Sequence, residues 1–539
     1  MIDGATGTDR LRERVDAALS LAVRGGADRA LPLLASLEKQ ILAPSSLSAG
    51  VAFGRAMAYH LLRDTAAATA AADRLLAQAM ELEDAGWSAL AYAVQAAIRA
   101  RAVEQSDSFE SLVAAEAALR RTVDPGLRAT THTWLGLTYN VLRLYELSVP
   151  HLQQAADLNL DPFGGRWAAE FGQLNLAEVH VRWAEDLYLL GRTEHSAQIE
   201  RLRSTGLACA RRAVALRRGG DPDEILDAAV EKMLAVSEAR SQPREAIARL
   251  KGVLGSLTAQ QHSDDRVAAH THIAVAYREL GQPEDALTSA RAGVASLGEL
   301  ADPPTAILAQ RVALELAAAA GDSAARAGLA LARTIARSWW HQRLRDLHTV
   351  ADALVALDLS DQHAVAHRAA REDALTGVGN RRAFDERMAD AALAGVPISM
   401  LMMDVDNLKD VNDSLGHLAG DGLLCRMAGL IVAALRPDDL VARLGGDEFV
   451  VVCDDPDLRG PHALAVRLRR AFDDDWSGVP VELNLLPGVS IGHASAAEGH
   501  PLGHLLAVAD RRLYVDKHRH QREQRGAPDL LPQDSPGTT

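Results

Sequence analysis

Arg443-Leu444-Gly445-Gly446-Asp447-Glu448-Phe449 is the stretch on which the reading of this chain turns. Leu440-Val441-Ala442 precedes it and Val450-Val451-Val452 follows. Two β-prone apolar runs parted by Gly-Gly predict a two-residue hairpin, with positive φ available at both central positions. The two acids after the turn open a strand that is otherwise apolar from Phe449 to Val452. A solvated hairpin tip is one account of them. A second acidic stretch upstream suggests another. Ile398 to Met403 is a near-continuous apolar run, as expected of a central buried strand, and it ends in Asp404-Val405-Asp406. Carboxylates at the end of a buried strand and at the tip of a neighbouring hairpin can converge on a hard cation. Mg2+ takes a few oxygen ligands and completes its shell with substrate phosphate.

Further motifs lie in order around these two. Asp373-Ala374-Leu375-Thr376-Gly377 and Asn380-Arg381-Arg382 come first. Asp404, Asp406, Lys409, Asn412, Asp413, Gly416, His417, Gly420 and Asp421 form a strand-helix core. Ser490-Ile491-Gly492, Ala509-Asp510, Leu513-Tyr514 and Lys517 close the segment. With the hairpin, this ordered set resembles GGDEF-domain diguanylate cyclases over roughly the last third of the chain. Leu408 and Val378-Gly379 depart from the usual pattern without touching a chemical role.

The resemblance implies an enzyme that joins two GTP into cyclic di-GMP and releases two pyrophosphates. Phosphoryl transfer of this kind asks the protein for alignment and charge neutralisation. By the same resemblance, Asp404 and Asp447 hold Mg2+, or Mn2+ in its place, with the Val405 carbonyl as a further ligand and Glu448 for a second ion. Asp447 would also be the base on the attacking hydroxyl, although a metal-bound carboxylate is a poor base. Lys409, read from its neighbours as a buried-site lysine, would offset charge growing on the phosphates; an i,i+4 pair with Asp413 is its plainer role. Asn412 and Asp421 suit the donor edge of guanine, and Asp421 could equally be a helix N-cap. His417 matches a substrate-contacting position, or is a turn residue. Gly445 and Gly446 leave room for a phosphate or base near the backbone. Lys517 would reach the phosphates, or stay a surface lysine. Phe449 is core. Arg436 and Asp439 fall at the Arg-x-x-Asp offset of the family's product-inhibition site, where Arg can clamp phosphate or guanine; a helix-to-strand turn is the alternative.

Length and composition bound the rest. The chain has 539 residues, too many for one ordinary domain. A net charge of -15 argues against general nucleic-acid binding. Cys209, Cys425 and Cys453 are far apart, with neither metal spacing nor a disulfide framework. No apolar run approaches the ~20 residues that span a bilayer, and Met1 to Arg14 lacks a signal-peptide core. The expectation is a cytoplasmic protein with no membrane span.

Residues 1–335 show helical periodicity broken by Gly, Pro and Asp. In His270 to Leu297, the residues Ala274, Tyr277, Gly281, Ala286, Ala290 and Gly293 take the small and aromatic positions of a tetratricopeptide-like (TPR-like) repeat. Gly136, Tyr139, Ser148, Leu152 and Ala155 do so in His132 to Ala155. An irregular helical bundle is the competing account. Such a solenoid presents a concave surface to a protein, peptide or small-molecule ligand. Residues 336–372 predict a connecting helix. In it Trp340, Leu344, Leu347, Ala351 and Leu354 alternate by four and three, either to dimerise or to pack on the last repeat, with a break at Asp358. The fold class is therefore multidomain: an all-α helical-repeat solenoid, then an α+β nucleotidyl-cyclase-like GGDEF domain over 373–525 with a mostly antiparallel sheet. A disordered tail is expected over 526–539. The leading reading is a homodimeric cyclase regulated by its repeats and by cyclic di-GMP. A non-catalytic GTP or cyclic di-GMP receptor and a repeat scaffold are its rivals.

Overall fold

A computed structural model describes residues 3–41, 43–101, 107–158, 168–191, 193–218, 224–256, 263–298, 302–454, 459–474 and 488–524. It divides into two compact units, Met1–Leu357 and Asp358–Thr539. A further strand, which the sequence suggests at Val481 to Leu485, and the tail over 526–539 lie outside the described residues.

The first unit is helical throughout its described residues, and its helices follow one another as hairpins. Pro125–Val141 packs on Tyr145–Leu158 because small residues let the two backbones approach. A Cβ on Gly136 would sit 2.6 Å from the Leu152 side chain, and the Ser148 hydroxyl donates to the Gly136 carbonyl at 2.7 Å. Tyr139 and Leu152 fill the groove, fully buried. In Ser263–Glu279 and Pro283–Ala295, Ala274, Ala286 and Ala290 are buried, and Gly293 lies against His270 and Thr271. One turn geometry recurs. Arg63, Glu83, Arg143, Gly281 and Gly321 each take positive φ at the middle of a three-residue turn between helices. That regularity is consistent with helical repeats.

The connector is not a separate element. One helix runs from Ser323 to Arg371, continuing the last hairpin through Asp358 without a break. Leu347, Val350 and Leu354 pack into the cluster that holds Leu112, Tyr139 and Leu144. Arg343 donates from Nε to the Arg143 carbonyl at 2.6 Å and pairs with Glu146. Packing on the helical unit therefore accounts for the four-three spacing up to Leu354. From Asp358 to Ala370 the helix is exposed on every side.

The second unit is built on a five-stranded sheet, β1 (Gly379–Asn380), β2 (Ser399–Asp406), β3 (Leu440–Gly445), β4 (Glu448–Cys453) and β5 (Gly488–Ser495). Its order is β1-β3-β4-β2-β5. Among the described residues only the β1–β3 pairing is parallel; the other strand pairings are antiparallel. The described helices are α1 (Arg381–Ala394), α2 (Leu408–Leu415), α3 (His417–Ala434), α4 (Arg459–Asp474) and α5 (Leu505–Gln524). Strand alternation sorts the core into two layers. Leu401, Met403, Val405, Phe449 and Val451 meet α3 and α4 on one face. Met400, Met402, Val450 and Val452 meet α1 and α5 on the other. β2 is buried at every residue, as the apolar run predicted. α3 is long and apolar enough to cross a membrane by length and composition alone. Its Leu423, Leu424, Met427 and Ile431 are packed in the core instead.

Candidate active site

The acids converge because of strand register. Asp404, two residues from the end of β2, lies directly opposite Glu448, the first residue of β4. The Val405 N–H donates to the Asp447 carbonyl at 3.3 Å, tying the hairpin tip to the end of β2. The turn differs from the expected one. Its two residues are Gly446-Asp447, and Gly445 belongs to β3, where the ladder slips between Arg443 and Gly445. Both glycines take positive φ, 149° and 57°, with open space where a Cβ would stand. The slip puts Asp447 at the tip and starts β4 on Glu448.

Burial and crowding charge this corner. Asp404 is 7% exposed. Burial and the nearby Asp447 raise its pKa, although the Lys517 ammonium opposes them. Glu448 is also raised, by burial and then by Asp447 and Asp404. Lys517 Nζ, on α5, donates to Asp404 Oδ1 at 2.6 Å. Burial alone would lower its pKa, but Asp404, Asp447 and Asp406 raise it overall. Asp406 points to a different set of groups: Ser490 Oγ stands 2.8 Å from each carboxylate oxygen and His520 Nδ1 is 3.9 Å away.

Among the described residues no three acid, His or Cys side chains already form a metal cage. The donor set nonetheless suits a hard cation. It is all oxygen, Asp404 and Glu448 are raised by burial and then by neighbouring acids, and an ammonium already sits on Asp404. Mg2+ itself needs few protein ligands where phosphates and water supply the rest.

The residues expected to read guanine lie on α2 and α3. A Cβ on Gly420 would collide with the Asn412 side-chain oxygen, so the Asn412 amide rests on the α3 backbone beside Asp421. Asp421 is not an N-cap. α3 begins four residues earlier, at His417, and Gly416 occupies the cap without a side-chain bond. Asp421 is half-buried on the second turn, and His417 is exposed on the first. Lys409 is exposed on the first turn of α2, not buried as expected, and it forms no ion pair with Asp413 among the described residues. Its helix stands outside the core face, and Val411 is the residue of α2 that is buried. Arg436 and Asp439 form the turn after α3. The Arg436 N–H donates to Asp439 Oδ2 at 3.0 Å, leaving the Arg436 side chain exposed.

Sequence reasoning gave Arg443 no task. Its Nε and Nη2 donate to the Gly446 carbonyl at 2.9 and 2.7 Å, and its Nη1 to Asp373 Oδ1 at 3.1 Å. It therefore braces the turn that bears Asp447 against the opening loop. Asp373 also accepts from the Thr376 N–H and hydroxyl. An arginine two residues before Gly-Gly was the available signal.

Residues 370–523 match the GGDEF domain family, described as diguanylate cyclase. Over 156 residues the chain is 35% identical to diguanylate cyclase DosC of Escherichia coli, covering 27% of this chain and 33% of that protein. It is 32% identical over 160 residues to the probable diguanylate cyclase DgcT of Escherichia coli, with 28% and 34% covered. The chain thus spans about a third of the length of the curated relatives it matches. Among solved structures, the coiled coil and GGDEF domain of DgcB from Caulobacter crescentus, in complex with c-di-GMP, is 25% identical. That match covers 32% of this chain and 94% of that one, with a TM-score of 0.29.

Proposed function

Residues 370–523 form a GGDEF domain, and from that premise we propose that this protein is a diguanylate cyclase that makes cyclic di-GMP from two GTP. The observation that carries the reading is the register that sets Asp404 against Glu448 and ties the Asp447 turn to Val405. Asp404, Asp447 and the Val405 carbonyl would hold Mg2+ or Mn2+, with Glu448 available to a second ion. A cation held there would supply charge neutralisation of the triphosphate and Lewis acidity at the α-phosphate. The chain's own groups do the rest. Asn412 and Asp421 orient guanine, with His417 beside them, and Gly445 and Gly446 leave the turn open to the nucleotide. Lys517 stands at the acids from the α5 side and can move from Asp404 to a phosphate oxygen. Lys409, free at the start of α2, can follow charge onto the leaving pyrophosphate. Asp447, first a metal ligand, is also proposed as the base for the proton of the attacking 3′-hydroxyl.

The product contains two guanylates related by a two-fold axis, so two such domains must face each other. We take the working form to be a homodimer. Arg436, exposed on its turn, and Asp439 are proposed as the site where cyclic di-GMP inhibits. The helical repeats are proposed to regulate synthesis through a bound ligand, in a cytoplasmic protein. Incubation of the full chain with GTP and Mg2+ tests the reading: cyclic di-GMP should form, ATP should give no product, and Asp447→Ala should abolish turnover without unfolding. GTP binding without product would establish the receptor alternative instead.

A further inference from the structure

The helical unit contains a cavity of 480 Å3 with no part in the chemistry above. Helices Ser46–Leu61, Ala85–Ala100, Pro125–Val141 and Ala168–Leu190 contribute to its wall. One side is apolar and aromatic, with Phe53, Met57, Trp134 and Phe171. Phe53 meets Trp134 edge-on at 6.1 Å between ring centres.

The lining also carries charge. Arg182 is matched by Glu178 at 2.9 Å and Asp302 at 3.8 Å, and neighbouring Arg63 by Asp264 at 3.9 Å. Arg101, at the cavity mouth, has no ion pair among the described residues. Partial desolvation and then the charges of Arg63 and Arg182 lower its pKa, only partly offset by Asp302 and Asp264. His60 also lines the cavity. Burial and then Arg101 push it down to about 4, so it is neutral at pH 7. Asn140, in the same wall and 4% exposed, keeps its side-chain oxygen buried without a hydrogen-bond partner among the described residues.

A guanidinium crowded by like charges at the mouth of an apolar chamber gains from an anion that reaches it. An apolar wall of this size gains from a body that fills it, and the volume falls within the range of small-molecule sites. We propose that this cavity binds an amphipathic small molecule, whose anionic group meets Arg101 and whose apolar body lies on Phe53, Met57 and Trp134. A small molecule fits better than an extended peptide. The lining converges on one chamber within residues 20–182, whereas a peptide would need a groove along successive repeats. The binding is independent of the cyclase reading, since every group invoked lies in the first unit.

The test uses the full chain and two fluorescent naphthalenes of similar shape, one anionic (1-anilino-8-naphthalenesulfonate) and one neutral (N-phenyl-1-naphthylamine). The sulfonate should bind saturably at one site per chain and be displaced by dodecanoate. Arg101→Gln, at an exposed position, should weaken the sulfonate about tenfold, which is about 1.4 kcal/mol, and leave the neutral probe within twofold. Ala129→Phe, which fills the chamber, should remove both, with the melting temperature showing that the variant is folded. Absence of a saturable site, an unchanged sulfonate affinity in Arg101→Gln, or displacement by an acidic peptide but not by dodecanoate would overturn the proposal.

Discussion

Arg443 offers a sharp test of how the acidic turn is held. Its guanidinium makes two bonds to the Gly446 carbonyl and one to Asp373. The two side chains are only 13% and 23% exposed, so water replaces these bonds poorly. Burial alone would raise the Asp373 pKa, yet the Thr376 and Arg443 bonds hold it below the usual value. Hydrogen bonds to charged groups are worth about 1.5–3 kcal/mol each when one partner is removed. The three share one donor group, so Arg443→Ala should cost the turn about 2–3 kcal/mol rather than the full sum. If Asp447 must sit where the brace holds it, kcat/KM should fall roughly 30- to 150-fold. Asp373→Asn keeps an oxygen for the Thr376 bonds but loses the charge, and should cost about 1 kcal/mol. In the double variant the losses should fall short of additivity by about 1 kcal/mol. The assay is pyrophosphate release from GTP, with urea unfolding run in parallel to subtract global destabilisation. Strict additivity, or Arg443→Ala within threefold of wild type, would refute the bracing role.

Three further outcomes are expected. Arg436→Ala should raise the cyclic di-GMP concentration for half-inhibition roughly tenfold or more, since an arginine–phosphate contact is worth about 1.5–3 kcal/mol; wild-type protein that binds product only at the active site would reduce Arg436 and Asp439 to a turn. Turnover per chain should fall on dilution or follow a ligand-driven change in dimer geometry, and a monomer by light scattering with constant turnover on dilution would remove the dimer from the mechanism. His132, 4% exposed, is pushed down to about 4 by burial and then by His151, whose Nδ1 lies 2.8 Å from its own. Its native pKa lies below the unfolded one, so full stability holds above about pH 6.5. Stability should then fall as pH drops from there through 4, by less than about 3 kcal/mol because solvent and Glu116 screen the site; urea midpoints with the same pH dependence in His132→Gln would show that this histidine is not the cause.

The site was legible where local chemistry alone fixes structure. Near-continuous apolar runs gave β2 and β4 their places, and Gly-Gly marked the hairpin. The one-residue slip to Gly446-Asp447 was not legible, because a bulge depends on how β3 pairs with its neighbour. The start of α3 was misplaced at Asp421 because the true cap, Gly416, makes no side-chain bond, and a glycine before a histidine resembles an ordinary turn. Asp358 looked like a break, yet an exposed helix tolerates an aspartate, and the residues around it face water. Lys409 was expected to be buried because its neighbours are catalytic-looking. Which face of an eight-residue helix meets the core is set by tertiary packing, and here Val411 takes that place.

One chain of contacts explains how such a corner can exist at all. Asp404 and Glu448 are like charges directly opposite on adjacent strands, an arrangement that destabilises a sheet. Asp447 at the turn adds a third. Lys517 offsets them from α5 by its bond to Asp404. α5 can reach that far only because Gly492 on β5 has no side chain: a Cβ there would collide with the Ala509 carbonyl oxygen and the Leu513 nitrogen of α5. Asp516, on the same helix, then accepts from the Ile491 N–H at 2.9 Å, fixing the helix along the strand. The glycine of the Ser490-Ile491-Gly492 motif is therefore a condition for the acidic cluster on the opposite side of β2. It seats the helix that brings the Lys517 ammonium, and that ammonium allows the carboxylates to stand together.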